Sequence, residues 1–286
     1  MSHKQIAILY HGGCPDGFGG AYAAWKKFGD TAEYVPLKHG LPPPNDMAGK
    51  TLYFIDFCYK KEIMDQFVTE AESVTVLDHH LGVREVTESM PHFVFDEKRS
   101  GATIAWRYFH HDAPVPVLLQ YVQDGDLYTF TLPDSRAVLS YVYAQKFHFD
   151  TWDKLMRELE DVRTRTELVQ RGTIYAEHFA ILAQQIANKA AIVTFEGYEC
   201  YFASAADMFS SDVGNLLAKL KPPLALVANM HGDVLNVSLR SDDSVDVSAI
   251  ARKYGGNGHP RASAFRITWG DPLPWQVIKE HENPRH

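Results

Sequence analysis

Aspartates and histidines follow three apolar segments near the start of the chain. "QIAILYH" leads to His11 and Asp16, "TLYFI" to Asp56, and "SVTVL" to Asp78-His79-His80. Carboxylate oxygens and imidazole nitrogens are ligands that divalent cations such as Mn²⁺ and Mg²⁺ accept. One aspartate after a strand is also an ordinary helix N-cap. Three such ends in succession favour a metal site.

A fourth acid follows an apolar helical run in "LLQYVQDGDLYTF". Asp124 is the first candidate there, and Asp126 is a near alternative. The chain has no paired cysteines, which argues against a structural zinc site. We therefore expect up to two divalent ions, with Mn²⁺ as the first choice and Mg²⁺ or Co²⁺ as alternatives.

The elements that must position these residues alternate between strand and helix. Apolar runs at 5–11, 51–57 and 73–80 read as strands, and 17–29 and 60–71 read as helices. This alternation predicts a parallel sheet with helices on both faces. Ligands bind at the carboxyl ends of such strands, which is where the acids and histidines fall.

The rest of the chain predicts a helical connector and a smaller α+β domain, so the fold class is α/β. The run at 162–190 is one long helix or two joined near Gly172. Two hairpins, a short helix stopped by glycine and a closing strand, "ASAFRITW", follow it. We predict a metal-binding domain with its connector at 1–185 and a second domain at 190–286.

The composition restricts the class of function. The chain has 286 residues, is 45% hydrophobic and carries a net charge of −8. This charge argues against a protein that coats long duplex nucleic acid. No leader or membrane-length apolar run is evident, and three separated cysteines are typical of reduced thiols. We expect a cytoplasmic protein with a small phosphate-containing substrate and no membrane partner, and we leave homo-oligomer formation open.

With these acids before it, Asp78-His79-His80 resembles the signature of the DHH phosphoesterase superfamily. This group includes RecJ-like exonucleases, nanoRNases, family II inorganic pyrophosphatases and exopolyphosphatases. "GGNGHPRASAF" at 255–265 is similar to the glycine-rich GGGH signature of the DHH-associated C-terminal domain. The resemblance covers nearly the whole chain, and its two motifs occur in the expected order.

The resemblance implies a role for each matching residue. It assigns metal binding to Asp16, Asp56, His79 and Asp124, with His11 as the first-motif histidine and Asp56 as the bridge between two ions. His80 would lie near the substrate phosphate, and Asp78 would orient His79. The implied substrate contacts in the second domain are Arg240, Gly256, Gly258, His259 and Arg261. "GGNGH" also has a plainer interpretation as a turn before an edge strand.

One position departs from the family pattern. The first motif usually carries D-x-D, but "HGGCPDGFGG" has Cys14 where the first aspartate would be. A neutral thiol is a poor ligand for a hard cation, although a metal can deprotonate it. The first metal site is then weak, selective for a softer ion such as Mn²⁺, Fe²⁺ or Zn²⁺, or vacant. Cys14 as a small buried filler is the alternative.

The implied function is a metal-dependent phosphoesterase that hydrolyses a small phosphate ester with a water activated by two metal ions. Short single-stranded oligonucleotides, nucleotide bisphosphates and cyclic dinucleotides all fit this expectation. An inorganic polyphosphate or pyrophosphate hydrolase is one alternative. The other is a nucleotide-binding protein without catalysis, in which Cys14 marks a degenerate first metal site.

Overall fold

The computed structural model of the chain describes residues 4–279 and divides into two compact units, with the boundary after Ala176. The first unit contains a parallel sheet with helices on both faces, and the second contains a mixed sheet. The predicted α/β fold class is therefore confirmed. The predicted domain limits, 1–185 and 190–286, stay predictions.

The first unit is built on a five-stranded sheet in the order β2-β1-β3-β4-β5, in which all neighbours are parallel. Its strands are β1 (Ile6–His11), β2 (Ala32–Leu37), β3 (Thr51–Ile55), β4 (Ser73–Asp78) and β5 (His92–Phe95). Its helices are α1 (Pro15–Phe28), α2 (Lys61–Glu70), α3 (Arg84–Glu88), α4 (Gly101–Phe109), α5 (Val117–Asp126), α6 (Ser135–Tyr143) and α7 (Phe149–Glu160). Helix α8 (Val162–Ala187) crosses the boundary between the units.

Both faces of this sheet are buried, which explains why its strands read as continuous apolar runs. In β1, Ile8 and Tyr10 pack into one hydrophobic cluster, with residues of α1, α4 and α5. Ala7 and Leu9 point to the opposite face and pack into another cluster with α2. Alternate side chains of one strand therefore pack into two different cores, because successive side chains point to opposite faces of a sheet.

The sequence pattern does not indicate the two edge strands. β2 contains Pro36, which cannot donate a ladder hydrogen bond and is tolerated because β2 lies at the edge of the sheet. β5 has only four residues, too few for a clear alternation. Neither strand ends in a residue of the predicted metal site.

The run at 162–190 forms one helix, α8, with no break at Gly172. A Cβ atom at Gly172 would lie 2.0 Å from the carbonyl oxygen of Ala137, so glycine here permits close packing on α6. Within residues 4–279, no helix is both long enough and apolar enough to cross a lipid bilayer.

The second unit contains a seven-stranded sheet in the order β10-β11-β9-β8-β7-β6-β12. Its elements are β6 (Ala191–Phe195), β7 (Tyr198–Ser204), α9 (Ser210–Leu220), β8 (Leu224–His231), β9 (Val234–Ser241), α10 (Val247–Lys253), β10 (Asn257–His259), β11 (Ala262–Thr268) and β12 (Trp275–Lys279). The two predicted hairpins are the antiparallel pairs β6–β7 and β8–β9. The predicted closing strand is β11, but β12 follows it and pairs with β6.

Candidate metal centre

The turn between β1 and α1 places three polar side chains at the carboxyl end of β1. His11 ends the strand, Cys14 is the N-cap of α1, and Asp16 lies in the first helical turn. The backbone N–H of Gly17 donates to Sγ of Cys14 at 3.3 Å. A Cβ atom at Gly17 would lie 2.1 Å from the carbonyl oxygen of His11, so this tight turn requires glycine.

A first group of candidate ligands consists of His11, Cys14 and Asp56. Nδ1 of His11 lies 3.3 Å from Sγ of Cys14 and 3.3 Å from Oδ2 of Asp56. Sγ of Cys14 lies 3.6 Å from the same Oδ2. The structure therefore brings together an imidazole, a thiol and a carboxylate that lie up to 45 residues apart in the chain.

Asp56 follows β3 in a conformation that is uncommon for a residue with a side chain. Its φ angle is 57°, in the left-handed region, and its N–H donates to the carbonyl oxygen of Leu77 at 2.9 Å. The side chain is buried, and Oδ1 accepts no hydrogen bond from the part of the chain that the structure describes. Such strained, incompletely satisfied residues occur at functional sites. A cation bound at Oδ1 would satisfy it.

A second group of candidate ligands surrounds Nε2 of His79. Oδ1 of Asp56 lies 3.3 Å from this nitrogen, Oδ2 of Asp126 lies at 3.5 Å, and Oδ2 of Asp16 lies at 3.8 Å. Asp56 therefore presents Oδ2 to the first group and Oδ1 to the second. This is the position that a bridging carboxylate needs, and its metal-binding role stays a prediction.

The N-terminus of α4 holds the carboxylate of Asp16. Oδ2 accepts the N–H of Gly101 at 2.6 Å, and Oδ1 accepts the N–H of Ala102 at 2.9 Å. A Cβ atom at Gly101 would lie 2.6 Å from Cβ of Asp56 and 3.0 Å from Oδ2 of Asp16. Sequence reasoning missed this support. The sequence pattern that could have indicated it is Ser100-Gly101 before an apolar helical run, which is a typical helix start.

Asp78 organises the turn that carries the two histidines. Its Oδ1 accepts the N–H of His79 at 2.7 Å and the N–H of His80 at 2.8 Å, and lies 2.9 Å from Nδ1 of His80. The prediction that Asp78 orients His79 is therefore corrected. Its carboxylate orients the His80 ring, and the contact with His79 is to the backbone. The His80 side chain is 35% exposed, and its role near a substrate phosphate stays a prediction.

The acid predicted from α5 also needs a correction, because Asp124 faces the loop after the helix. Its Oδ1 accepts from Oγ1 of Thr129 at 2.7 Å and from the N–H of Thr131 at 2.8 Å, and Oδ2 accepts from the N–H of Leu132 at 3.1 Å. Although burial opposes it, these bonds lower the pKa of Asp124 to about 2. Asp126, the alternative, reaches His79 and replaces Asp124 in the candidate ligand set.

The crowding of acids and histidines in this cluster shifts their pKa values. Burial, Asp126 and Asp56 raise the pKa of Asp16 well above its usual value. Burial opposes the shift at Asp56, but its contacts with His11 and His79 hold its pKa below the usual range. Burial also opposes the shift at His79, whose pKa rises to about 9 through its contact with Asp56. Protons and divalent cations compete for such groups, so this donor set fits metal ions.

The chain is similar to several known proteins. Residues 200–273 match the family described as the DHHA1 domain. A stretch of 124 residues, 43% of this chain, is 31% identical to the oligoribonuclease NrnB of Bacillus subtilis strain 168, and covers 27% of that protein.

Over 91% of this chain, the sequence is also 29% identical to the uncharacterized protein R106 of Acanthamoeba polyphaga mimivirus, covering 67% of that protein. The solved DHH domain of a member of a family of ribosomal proteins has the same fold. It superposes with a TM-score of 0.60 at 11% identity, over 93% of this chain and 83% of that one. The DHHA1 match and the NrnB match support membership of the chain in the DHH phosphoesterase superfamily.

The two arginines that were predicted to bind substrate, both in the second unit, differ in their contacts. Arg240, on β9, donates to Oγ of Ser211 and to the carbonyl oxygen of Leu239, each at 2.8 Å. Arg261 lies between β10 and β11 and pairs through Nε and Nη2 with both carboxylate oxygens of Asp243. The charge of Arg261 is therefore already balanced within its own unit.

The glycine-rich segment at 255–265 forms a turn and an edge strand, as its plainer interpretation predicted. β10, which contains Gly258 and His259, is an edge strand paired with β11. A Cβ atom at Gly256 would lie 2.1 Å from the carbonyl oxygen of Ala264, and Gly258 has a φ angle of 143°. Both glycines are required by the backbone. Substrate contact by these residues stays a prediction.

Proposed function

We propose that this protein is a metal-dependent phosphoesterase that hydrolyses a small phosphate ester by direct attack of water. The observation that carries the proposal is the carboxylate of Asp56, which presents one oxygen to each of two ligand groups. Two divalent cations held there, Mn²⁺ at the His79 group, would activate the water and offset charge on the phosphoryl oxygens. No side chain has to act as the nucleophile.

We propose that His80 contacts the phosphate group of the substrate. Asp78 fixes its ring through Nδ1 and, although burial opposes it, raises the pKa of His80 to about 10. A protonated imidazole stabilises the charge that develops on phosphoryl oxygens during displacement. Asp78 thus acts through His80, and Asp16 acts with α4 to keep the His79 group in place.

A nucleotide substrate is favoured by aromatic side chains directly after Asp126. The rings of Tyr128 and Phe130 lie 4.8 Å apart in an edge-to-face arrangement, and Tyr128 is exposed. The guanidinium of Arg136 lies 3.9 Å from the centre of the Phe130 ring. Exposed aromatic and guanidinium planes stack on nucleobases. We therefore propose a short oligonucleotide, a nucleotide bisphosphate or a cyclic dinucleotide as substrate.

The test is a panel of phosphate compounds incubated with Mn²⁺ and with the wild-type protein or Asp56→Ala. The panel contains short oligoribonucleotides, a nucleoside 3',5'-bisphosphate, a cyclic dinucleotide, polyphosphate and pyrophosphate. We expect turnover of at least one nucleotide compound and its loss, by at least about 1,000-fold, in Asp56→Ala. Turnover of polyphosphate or pyrophosphate alone would overturn the substrate class. Nucleotide binding without turnover would overturn the enzyme proposal.

We also propose a cytoplasmic location and no long duplex partner. Cys14, Cys58 and Cys200 are free thiols, and the place of Cys14 in the first ligand group requires its reduced form. Cytosolic thiols are kept reduced. The net charge of −8 disfavours the many phosphate contacts that duplex binding needs.

A further inference from the structure

Cys14 distinguishes the first ligand group from the second. The group around His79 combines imidazole nitrogen with carboxylate oxygens, whereas the group of His11, Cys14 and Asp56 adds sulfur. Thiolate and imidazole together suit Zn²⁺ and similar ions, and carboxylates suit Mn²⁺ and Mg²⁺. The two groups therefore differ in the ions that they should prefer.

The spacing within the first group fits a small tetrahedral ion. For bonds of about 2.0–2.1 Å to nitrogen and oxygen and about 2.3 Å to sulfur, tetrahedral ligands lie about 3.4 Å apart for N···O and about 3.5–3.6 Å apart for pairs with sulfur. The structure shows 3.3 Å from Nδ1 of His11 to Oδ2 of Asp56. The pairs with Sγ of Cys14 are 3.3 Å and 3.6 Å. Neighbouring octahedral ligands around Mg²⁺ lie closer together, at about 3.0 Å.

Burial, Asp56 and Asp16 raise the pKa of the Cys14 thiol well above its usual value, and the backbone around Cys14 offsets part of this rise. A bound cation would have to offset the rest. Sγ accepts the N–H of Gly17 at 3.3 Å, at the N-terminus of the 14-residue helix α1. Such a position stabilises negative charge on sulfur. The same hydrogen bond is what a capping residue makes, so a purely structural role for Cys14 is the alternative to exclude.

We propose that His11, Cys14 and Asp56 form a thiolate-containing site that prefers Zn²⁺ or Co²⁺ to Mn²⁺. The inference rests on the proposed two-metal centre and specifies the ion at one of its two positions. When the ion binds, a metal–sulfur bond forms and the S–H proton leaves to solvent, with no change of oxidation state. Three protein ligands leave one tetrahedral position open, as in catalytic zinc sites.

The test uses the full chain freed of metal by a chelator and then titrated with Co²⁺ alone. We expect a sulfur-to-cobalt charge-transfer band in the near ultraviolet for the wild type. Cys14→Ser retains a capping oxygen but loses sulfur, so the band should disappear. Cys200→Ala, which removes a buried thiol of the second unit, should keep it. Because even the loss of an outer-shell partner costs about 10–100-fold, Zn²⁺ affinity at this site should fall at least about 100-fold in Cys14→Ser.

A second variant covers the case in which Cys14→Ser does not fold. Cys14→Asp replaces sulfur by oxygen ligands, so it should lose the band and gain affinity for Mn²⁺ relative to Zn²⁺. Zinc binding at pH 7 should also release about one proton more from the wild type than from Cys14→Asp. A wild type that binds Co²⁺ without the band, or a band that survives in both Cys14 variants, would overturn the inference.

The cobalt spectrum tests the thiolate site, and the hydrolysis assay tests the phosphoesterase, so either proposal can be rejected without the other. A Cys14-dependent band in a protein that hydrolyses no member of the phosphate panel would retain the thiolate site and reject the phosphoesterase. Hydrolysis by a wild type that shows no such band would retain the phosphoesterase and reject the thiolate site.

Discussion

The carboxyl edge of the five-stranded sheet and the glycine-rich end of the seven-stranded sheet both carry family motifs, but their polar groups have different partners. At the first edge, Asp56 keeps a buried oxygen with no hydrogen bond from the described residues, directed toward His79. In the second unit, Arg261 is paired with Asp243.

The two units differ in what their polar groups bind. Crowded acids raise the free energy of the first unit unless protons or cations neutralise them, so that edge is organised for a ligand. The signature of the second unit is satisfied by its own chain, through Asp243 and through close packing on β11. Substitutions should therefore affect catalysis most at the first edge.

The largest contrast is expected between two acids of α5. Asp126→Asn removes a charged candidate ligand next to His79, so kcat/KM should fall at least about 100-fold, with less bound Mn²⁺ and little change in Tm. Asp124→Asn weakens the bonds that fix residues 129–132, so it should cost about 1–3 kcal/mol of stability while Mn²⁺ binding persists.

Kinetics, metal analysis and thermal unfolding of both variants measure this contrast. If Asp124→Asn lost the metal and Asp126→Asn retained it, the assignment of the ligand would be reversed.

Gly101→Ala should have the next largest effect. The added methyl overlaps Cβ of Asp56 and approaches Oδ2 of Asp16, so the carboxylates must shift. We expect a loss of about 10–100-fold in kcat/KM, and overpacking of this kind costs about 1–3 kcal/mol of stability.

Gly20→Ala is the matched control for this variant. Its Cβ would lie 2.3 Å from Cγ2 of Ile55, an overlap with the core that spares the two carboxylates. Per mole of folded protein, Gly20→Ala should keep more activity than Gly101→Ala. Equal losses would show that packing alone explains both.

The sequence predicted the strands β1, β3 and β4 and the acids that follow them because apolar runs and polar ends are local signals. It ranked Asp124 before Asp126 as the fourth acid, because which of the two approaches His79 depends on the loop whose backbone and hydroxyl groups bind Asp124. It missed Gly101 because the contact with Asp16 joins residues 85 positions apart. Such approaches follow from packing and carry no local pattern.

The smallest effects are expected in the second unit, where Arg240→Ala and Arg261→Ala form a pair. The family resemblance implies that Arg240 contacts the substrate, and a guanidinium matches phosphate oxygens two at a time. Arg240→Ala should raise KM about tenfold for the best substrate of the panel, with kcat within about threefold, because it contributes to binding more than to the chemical step.

Arg261→Ala should change KM and kcat by less than about threefold each, because Asp243 already neutralises the charge of Arg261. The pair is exposed, and such pairs stabilise a protein by about 0–1 kcal/mol. Asp243→Ala is the control, because it releases Arg261 and should lower KM if the guanidinium can then reach the substrate. A large rise of KM in Arg261→Ala would show that the substrate draws Arg261 away from Asp243. The glycine-rich segment would then bind substrate as directly as the family resemblance implies.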